Sequence, residues 1–147
     1  MAYVEFMKAR LGEIGIPSCD VHSDTLVTID ITISDDDPVT VYLMQRGETI
    51  RDEPILELFS YTMQPTGNDR ADQEVARTLL FWNGFKGKLF HWGMETINGE
   101  DWFVAYARLI IPGMTASALE SAIGSVATAR SSFYQQVERI ANSGDQA

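Results

Sequence analysis

The chain has 147 residues, 45% hydrophobic and 22% charged, with 21 Asp and Glu against 11 Lys and Arg. A domain of this length buries roughly 70% of the surface its unfolded chain exposes, so one packed globular unit is expected and disorder of the whole chain is excluded. The formal net charge of -10 is the reverse of what phosphate backbones and anionic lipid attract, so neither nucleic acid nor a membrane surface is an expected partner.

Residues 2–14 place Tyr3, Met7, Leu11 and Ile14 on one stripe with Phe6 beside it, and Lys8, Arg10 and Glu13 away from it. That spacing predicts an amphipathic helix, stopped by Gly15 and Pro17. Ser18 to Asp24 reads as a polar connector. From Leu26 the period changes to two: Val27, Ile29, Ile31 and Ile33 alternate with Thr28, Asp30 and Thr32, which predicts a strand with one buried face. Ser34-Asp35-Asp36-Asp37-Pro38 breaks it, and Val39 to Gln45 begins a second β-branched run.

Pro54 opens a third strand, Ile55 to Met63, whose Leu56 and Leu58 point opposite to Phe59 and Tyr61. Apolar residues on both sides mark a central strand. Gln64 to Arg70 is turn chemistry, and Asn68 or Asp69 can cap the next helix, which runs to about Asn83 with Val75, Leu79 and Trp82 aligned and Ala76 and Leu80 widening the stripe. Gly84 and Gly87 lead out of it.

Lys88 to Ile110 reads strand, tight turn, strand. Asn98-Gly99 is the pair a two-residue hairpin needs, because both central residues take positive φ. In that register Met94, Trp92 and Phe90 face Phe103, Ala105 and Ala107, large against small, as a core side packs. The other side sets Leu89, His91, Gly93 and Glu95 opposite Arg108, Tyr106, Val104 and Trp102. It is too apolar for a solvated face and too polar for a core. After Pro112-Gly113, Thr115 caps a last helix with Leu119, Ile123, Val126, Phe133, Val137 and Ile140 on one stripe. Arg130 shares that stripe as a snorkelling side chain, a buried ion-pair member or a subunit contact.

The expected fold is α+β: an antiparallel five-stranded sheet with three helices, in the order α-βββ-α-ββ-α. Residues 1–141 form the domain and 142–147 a flexible tail.

Catalytic and metal chemistry is thin. Cys19 and His22 have the spacing of a zinc half-site, but His91 is the one further imidazole and four ligands are needed. The Asp35-Asp36-Asp37 run lacks the alternate ligands and closing Glu of a calcium loop. No phosphate loop, dinucleotide fingerprint or nucleophile elbow occurs. No cofactor or metal is expected. Cys19 has no partner for an intrachain disulfide, the first residues lack a signal-peptide pattern, and no run approaches the ~18 apolar residues of a membrane span, so a cytoplasmic protein is the expectation.

The layout resembles that of the class I type III secretion chaperones and the related YbjN-like proteins of bacteria. Trp82-Asn83-Gly84, Gly87-Lys88-Leu89-Phe90 and Asn98-Gly99 followed by Phe103 to Leu109 are similar to the Asn, Gly and hairpin pattern of the YbjN-like group. Trp92 and Trp102 are larger than the side chains expected there. The resemblance implies a non-enzymatic, protein-binding or regulatory domain, often a homodimer.

Two functional readings follow. One is a protein-binding module contacting a partner or a second copy through Leu89, His91, Trp102, Val104, Tyr106 and Arg108, with Trp102 and Tyr106 central. The other is a small-ligand binder or enzyme using His91, Tyr106, Glu95 and Trp102. An open sheet face favours the first, an enclosed cleft at His91 the second. The contact reading requires helices on the Phe90–Trp92–Met94 side; were they on the other, Trp102 and Tyr106 would belong to the core.

Overall fold

A computed structural model of the chain describes residues 3–33, 38–49, 51–83 and 90–145, without the side chains of residues 130 and 136–145. The Asp35–Asp37 run, Gly84, Gly87 and Leu89 lie outside the described residues, as do the side chains of Arg130, Val137 and Ile140.

The elements are α1 (Tyr3–Glu13), β1 (Asp20–Ser23), β2 (Leu26–Ile31), β3 (Val39–Glu48), β4 (Pro54–Met63), α2 (Asp69–Asn83), β5 (His91–Ile97), β6 (Glu100–Ile110) and α3 (Ala116–Asp145). The strands form one antiparallel sheet in the order β1-β2-β3-β4-β6-β5. The fold is α+β with three helices, but the sheet has six strands, not five. The segment Ser18–Asp24 is not merely a connector: its Asp20–Ser23 pairs with β2 at the sheet edge. All four residues of β1 are exposed, so no alternation marked them as a strand.

The alternation in Leu26–Ile31 does bury one face. Val27 and Ile29 join Val41 and Leu43 of β3, Leu56 and Leu58 of β4 and Ala107 of β6 beneath α1 and α3. Tyr3, Met7 and Leu11 supply the α1 side of that cluster, and the Tyr3 hydroxyl donates to the Leu43 carbonyl at 2.8 Å. A second cluster sits under α2 and the middle of α3, where Trp92, Phe103 and Ala105 meet Val75, Leu79, Ala129 and Phe133. The helices therefore cover the large-against-small side of the hairpin at Trp92, Phe103 and Ala105, but not at Met94, which is 51% exposed toward the turn.

Local chemistry sets the helix starts. Asn68 Oδ1 accepts from Ala71 N at 3.1 Å, and Thr115 Oγ1 accepts from Ala118 N at 3.0 Å. The α2 stripe is narrower than expected. Leu80 is 71% exposed, because it lies about 100° around the helix from Leu79 and α2 rests only on the β5 end of the sheet.

Candidate functional site

The helix-free face of the sheet is built by period-two alternation in β3, β4, β6 and β5, interrupted by register shifts between Gln45 and Glu48 and between Tyr61 and Met63. Registry sets Tyr42, Phe59, Tyr106 and His91 side by side across four strands, with Tyr61, Val104 and Gly93 in the next row and Trp102 beside Glu95 beyond it. The rings touch in sequence. Tyr42 stacks on Phe59 with centroids 5.0 Å apart and planes 8° off parallel, Tyr61 meets both edge-on, and Trp102 lies 5.9 Å from Tyr61. Tyr106 lies 6.2 Å from Phe59, and His91 stacks on Tyr106 at 5.6 Å.

This aromatic band is dense enough to exclude water without a helix above it. Val104 is fully buried, Phe59 and Tyr106 nearly so, while Tyr42, Tyr61 and Trp102 are half-buried around them. Val104 is thus the floor of the face and presents no surface of its own. Gly93 makes room for the band: a Cβ there would stand 2.9 Å from Tyr106 Cε2. The Tyr106 ring closes over a strand position that has no side chain.

A chain of charges is laid over the rings. The Glu57 carboxylate is buried between two arginines, accepting from Arg46 Nη1 at 2.7 Å and Arg108 Nε at 3.0 Å. Both guanidiniums are about half exposed, at 49% and 54%. Arg46 also reaches Glu95 at 3.4 Å. Since β4 and β6 lie between β3 and β5, that bridge crosses above the band.

Burial, then the Glu95 charge, pushes the Tyr61 phenol up to about 12. Burial, then the Glu95 charge, raises Tyr106 well above the usual phenol range. Burial, then the Arg108 charge, holds His91 below its ordinary value.

Five of the six residues singled out on the hairpin lie on this face, and Leu89 falls outside the described residues. Arg108 stands at its rim. Among the described residues, His91 has no hydrogen-bonded carboxylate: Glu57 is engaged by Arg46 and Arg108, and Glu95 by Arg46. A neutral imidazole without an acid or base to relay its proton is poorly equipped for general acid–base catalysis.

Cys19 and His22 do not converge on a metal site. His22 Nε2 lies 2.8 Å from Thr28 Oγ1, and Cys19 borders a hollow of about 330 Å³ shared with Lys8, Leu11, Ile16, Pro17 and Ser18. No three His, Cys, Asp or Glu side chains gather for a metal among the described residues. No described helix is long and apolar enough to cross a membrane.

Sequence reasoning missed Tyr42, Phe59, Tyr61, Glu57 and Arg46 as parts of this face. The signal for Phe59 and Tyr61 was present, since both stand opposite Leu56 and Leu58. What was lacking was the strand order that brings β4 beside β6.

No protein-family model matches the chain, and no curated protein matches it. Among solved structures, a chain of the crystal structure of the ExsC-ExsE complex is similar over 83% of this chain and 83% of its own length, at 17% identity and a TM-score of 0.46.

Proposed function

We propose that this chain is a non-enzymatic protein-binding module, acting in the cytoplasm, whose contact surface is the helix-free face around Trp102 and Tyr106. One observation carries the reading: five aromatic side chains and a charge network share one sheet face that no described helix covers. Aromatic residues and Arg are the usual anchors of protein contacts, and Tyr42, Tyr61, Trp102, Arg46 and Arg108 all keep exposed edges here. His91 extends the same surface onto β5. The sequence likeness to YbjN-like proteins and class I secretion chaperones supports the same class of function.

A photo-crosslinking residue placed at Trp102 in cells tests the reading, with Glu120 on the exposed side of α3 as the control. Protein adducts at residue 102 and none at residue 120 sustain it. Absence of adducts at residue 102 from a folded variant sinks it.

A further inference from the structure

We infer that the occupant of this face is a basic segment of another protein, and that an arginine of that segment seats over the Trp102 indole against Glu95 and Glu100. The inference rests on the reading of the face as a protein contact and goes further by naming the partner's chemistry and its point of entry.

Whole-chain charge selects the sign of the partner. The chain carries -10, so a cationic segment is drawn to it from a distance and an acidic one is repelled. That field does not say where the segment docks. The charges on the face do.

The two ends of the face differ. Arg108 and Trp102 stand about 20 Å apart along the extended β6 strand. At the Arg108 end both oxygens of Glu57 are taken, Oε1 by Arg46 at 2.7 Å and Oε2 by Arg108 at 3.0 Å. Two guanidiniums share one carboxylate there, and a further cation gains nothing.

At the Trp102 end the balance is reversed. Glu95 is the register partner of Trp102, and Glu100 precedes Trp102 by two residues on β6, which puts it on the same face. Glu95 is 26% exposed and receives only the longer contact of Arg46, at 3.4 Å. Arg46 can therefore stay on Glu57 while Glu95 takes a new partner. Glu100 is exposed and accepts from the Gln64 amide at 2.9 Å. Among the described residues no cation pairs with it.

The rings complete the site. Trp102 is half-buried and braced by Tyr61, with centroids 5.9 Å apart and planes tilted by 57°. The Glu95 charge acts on the Tyr61 and Tyr106 phenols, which sets that carboxylate among the rings. A guanidinium is the cation that fits. Its plane stacks on an indole while its fork of donors meets carboxylates, whereas an ammonium makes point contacts only.

The test uses the full chain with acetylated hexa-arginine, hexa-lysine and hexa-glutamate peptides at about 0.15 M salt, where charges more than about 8 Å apart are largely screened. Calorimetry measures affinity and NMR follows the indole resonances, circular dichroism having shown that each variant is folded. Hexa-arginine should bind more tightly than hexa-lysine and shift the Trp102 indole more than that of Trp92, while hexa-glutamate should not bind. Trp102→Leu should weaken hexa-arginine binding by roughly threefold, and Glu95→Gln combined with Glu100→Gln by roughly tenfold or more. Glu5→Gln combined with Glu120→Gln removes the same charge from α1 and α3 and should cost much less. If Trp102→Leu does not fold, the two double variants carry the comparison.

Equal losses in the two double variants would mean that net charge alone attracts the peptide, and would overturn the inference. Absence of hexa-arginine binding would overturn it as well. The crosslinker at residue 102 separates that failure from failure of the contact face. Adducts on Arg-bearing segments of another protein, with the expected peptide losses, sustain the inference. If it captures a second copy of this chain, or a segment without Arg or Lys, the basic occupant is wrong and the contact face stands. If it captures nothing, both are wrong.

Discussion

Asn83, the last residue of α2, stands in for a neighbouring strand at Trp92. Its Oδ1 accepts from Trp92 N at 2.6 Å and its Nδ2 donates to the Trp92 carbonyl at 2.9 Å. A paired strand makes the same two bonds to one residue of an antiparallel edge. Because β5 is the outer strand of the sheet, the amide both tethers α2 and blocks a rung that another chain could occupy.

Asn83→Ala should therefore cost about 1–3 kcal/mol, since it leaves a partly buried N–H and C=O unpaired. Asn83→Asp keeps the acceptor and loses the donor, and should fall between. Chemical denaturation measures the loss. Amide exchange at Trp92 should accelerate more than exchange in β4, and equal acceleration in both strands would refute a local role.

Gly93 and Tyr106 give a second outcome. A methyl at residue 93 would stand 2.9 Å from Tyr106 Cε2, so Gly93→Ala must tilt the ring off its seat. A flexible ring edge can move, which keeps the expected loss to about 1–2 kcal/mol. The substitution should also disturb the His91–Tyr106 stacking, visible as shifted ring resonances, and weaken any contact made through the face. Unchanged ring resonances would mean that the ring does not close over Gly93.

Much of this architecture was legible because period-two patterns report burial directly. Val27 and Ile29 showed which side of β2 is covered, and Asn98-Gly99 fixed a register that holds at five pairs from His91↔Tyr106 to Glu95↔Trp102. The sequence failed where tertiary placement decides. The β1 strand gains pairing and no burial, so it carries no hydrophobic signature. Leu80 has the residue type of a core position but lies beyond the area α2 covers. The bridge from Arg46 to Glu95 joins strands 49 residues apart in sequence, and no local pattern encodes it.

The hairpin turn offers a clean test of backbone strain. Gly99 adopts φ 81° and Asn98 φ 53°, and a Cβ at residue 99 would meet nothing within 4 Å. Any cost of Gly99→Val is then conformational and not steric contact. A loss of about 1–3 kcal/mol is expected. Gly99→Asn, which tolerates the left-handed region, should recover most of it. Equal midpoints for the two variants would contradict the strain account.

Glu57 separates charge pairing from shape. Glu57→Ala removes a buried carboxylate held by two half-exposed guanidiniums and opens space on the face. A loss of about 1–3 kcal/mol is expected, below that of a fully buried pair because solvent screens both arginines. Glu57→Leu fills the space without the charge and should be closer to neutral. It should nevertheless free Arg46 and Arg108, so a partner contact that depends on their placement weakens while the denaturation midpoint holds. If Glu57→Leu weakens neither, the ion pairs serve neither stability nor recognition.

His91 links the face to pH. Its imidazole is held below the ordinary value near 6.5, first by burial and then by the Arg108 charge. The unfolded chain therefore takes up the proton at higher pH than the folded chain does. Stability is full above the unfolded value and declines as pH falls through it toward the lower folded value, because the unfolded state then binds more protons. Moving from about pH 7.5 to about pH 5.5 should lower the urea midpoint, and His91→Gln should remove part of that slope. Protonation also puts a second cation beside Arg108 and under the stacked Tyr106 ring. Contact through this face should weaken over the same range, and His91→Gln should keep it nearly constant. A pH slope identical in the wild type and His91→Gln, for both stability and association, would show that the imidazole does not titrate in this window.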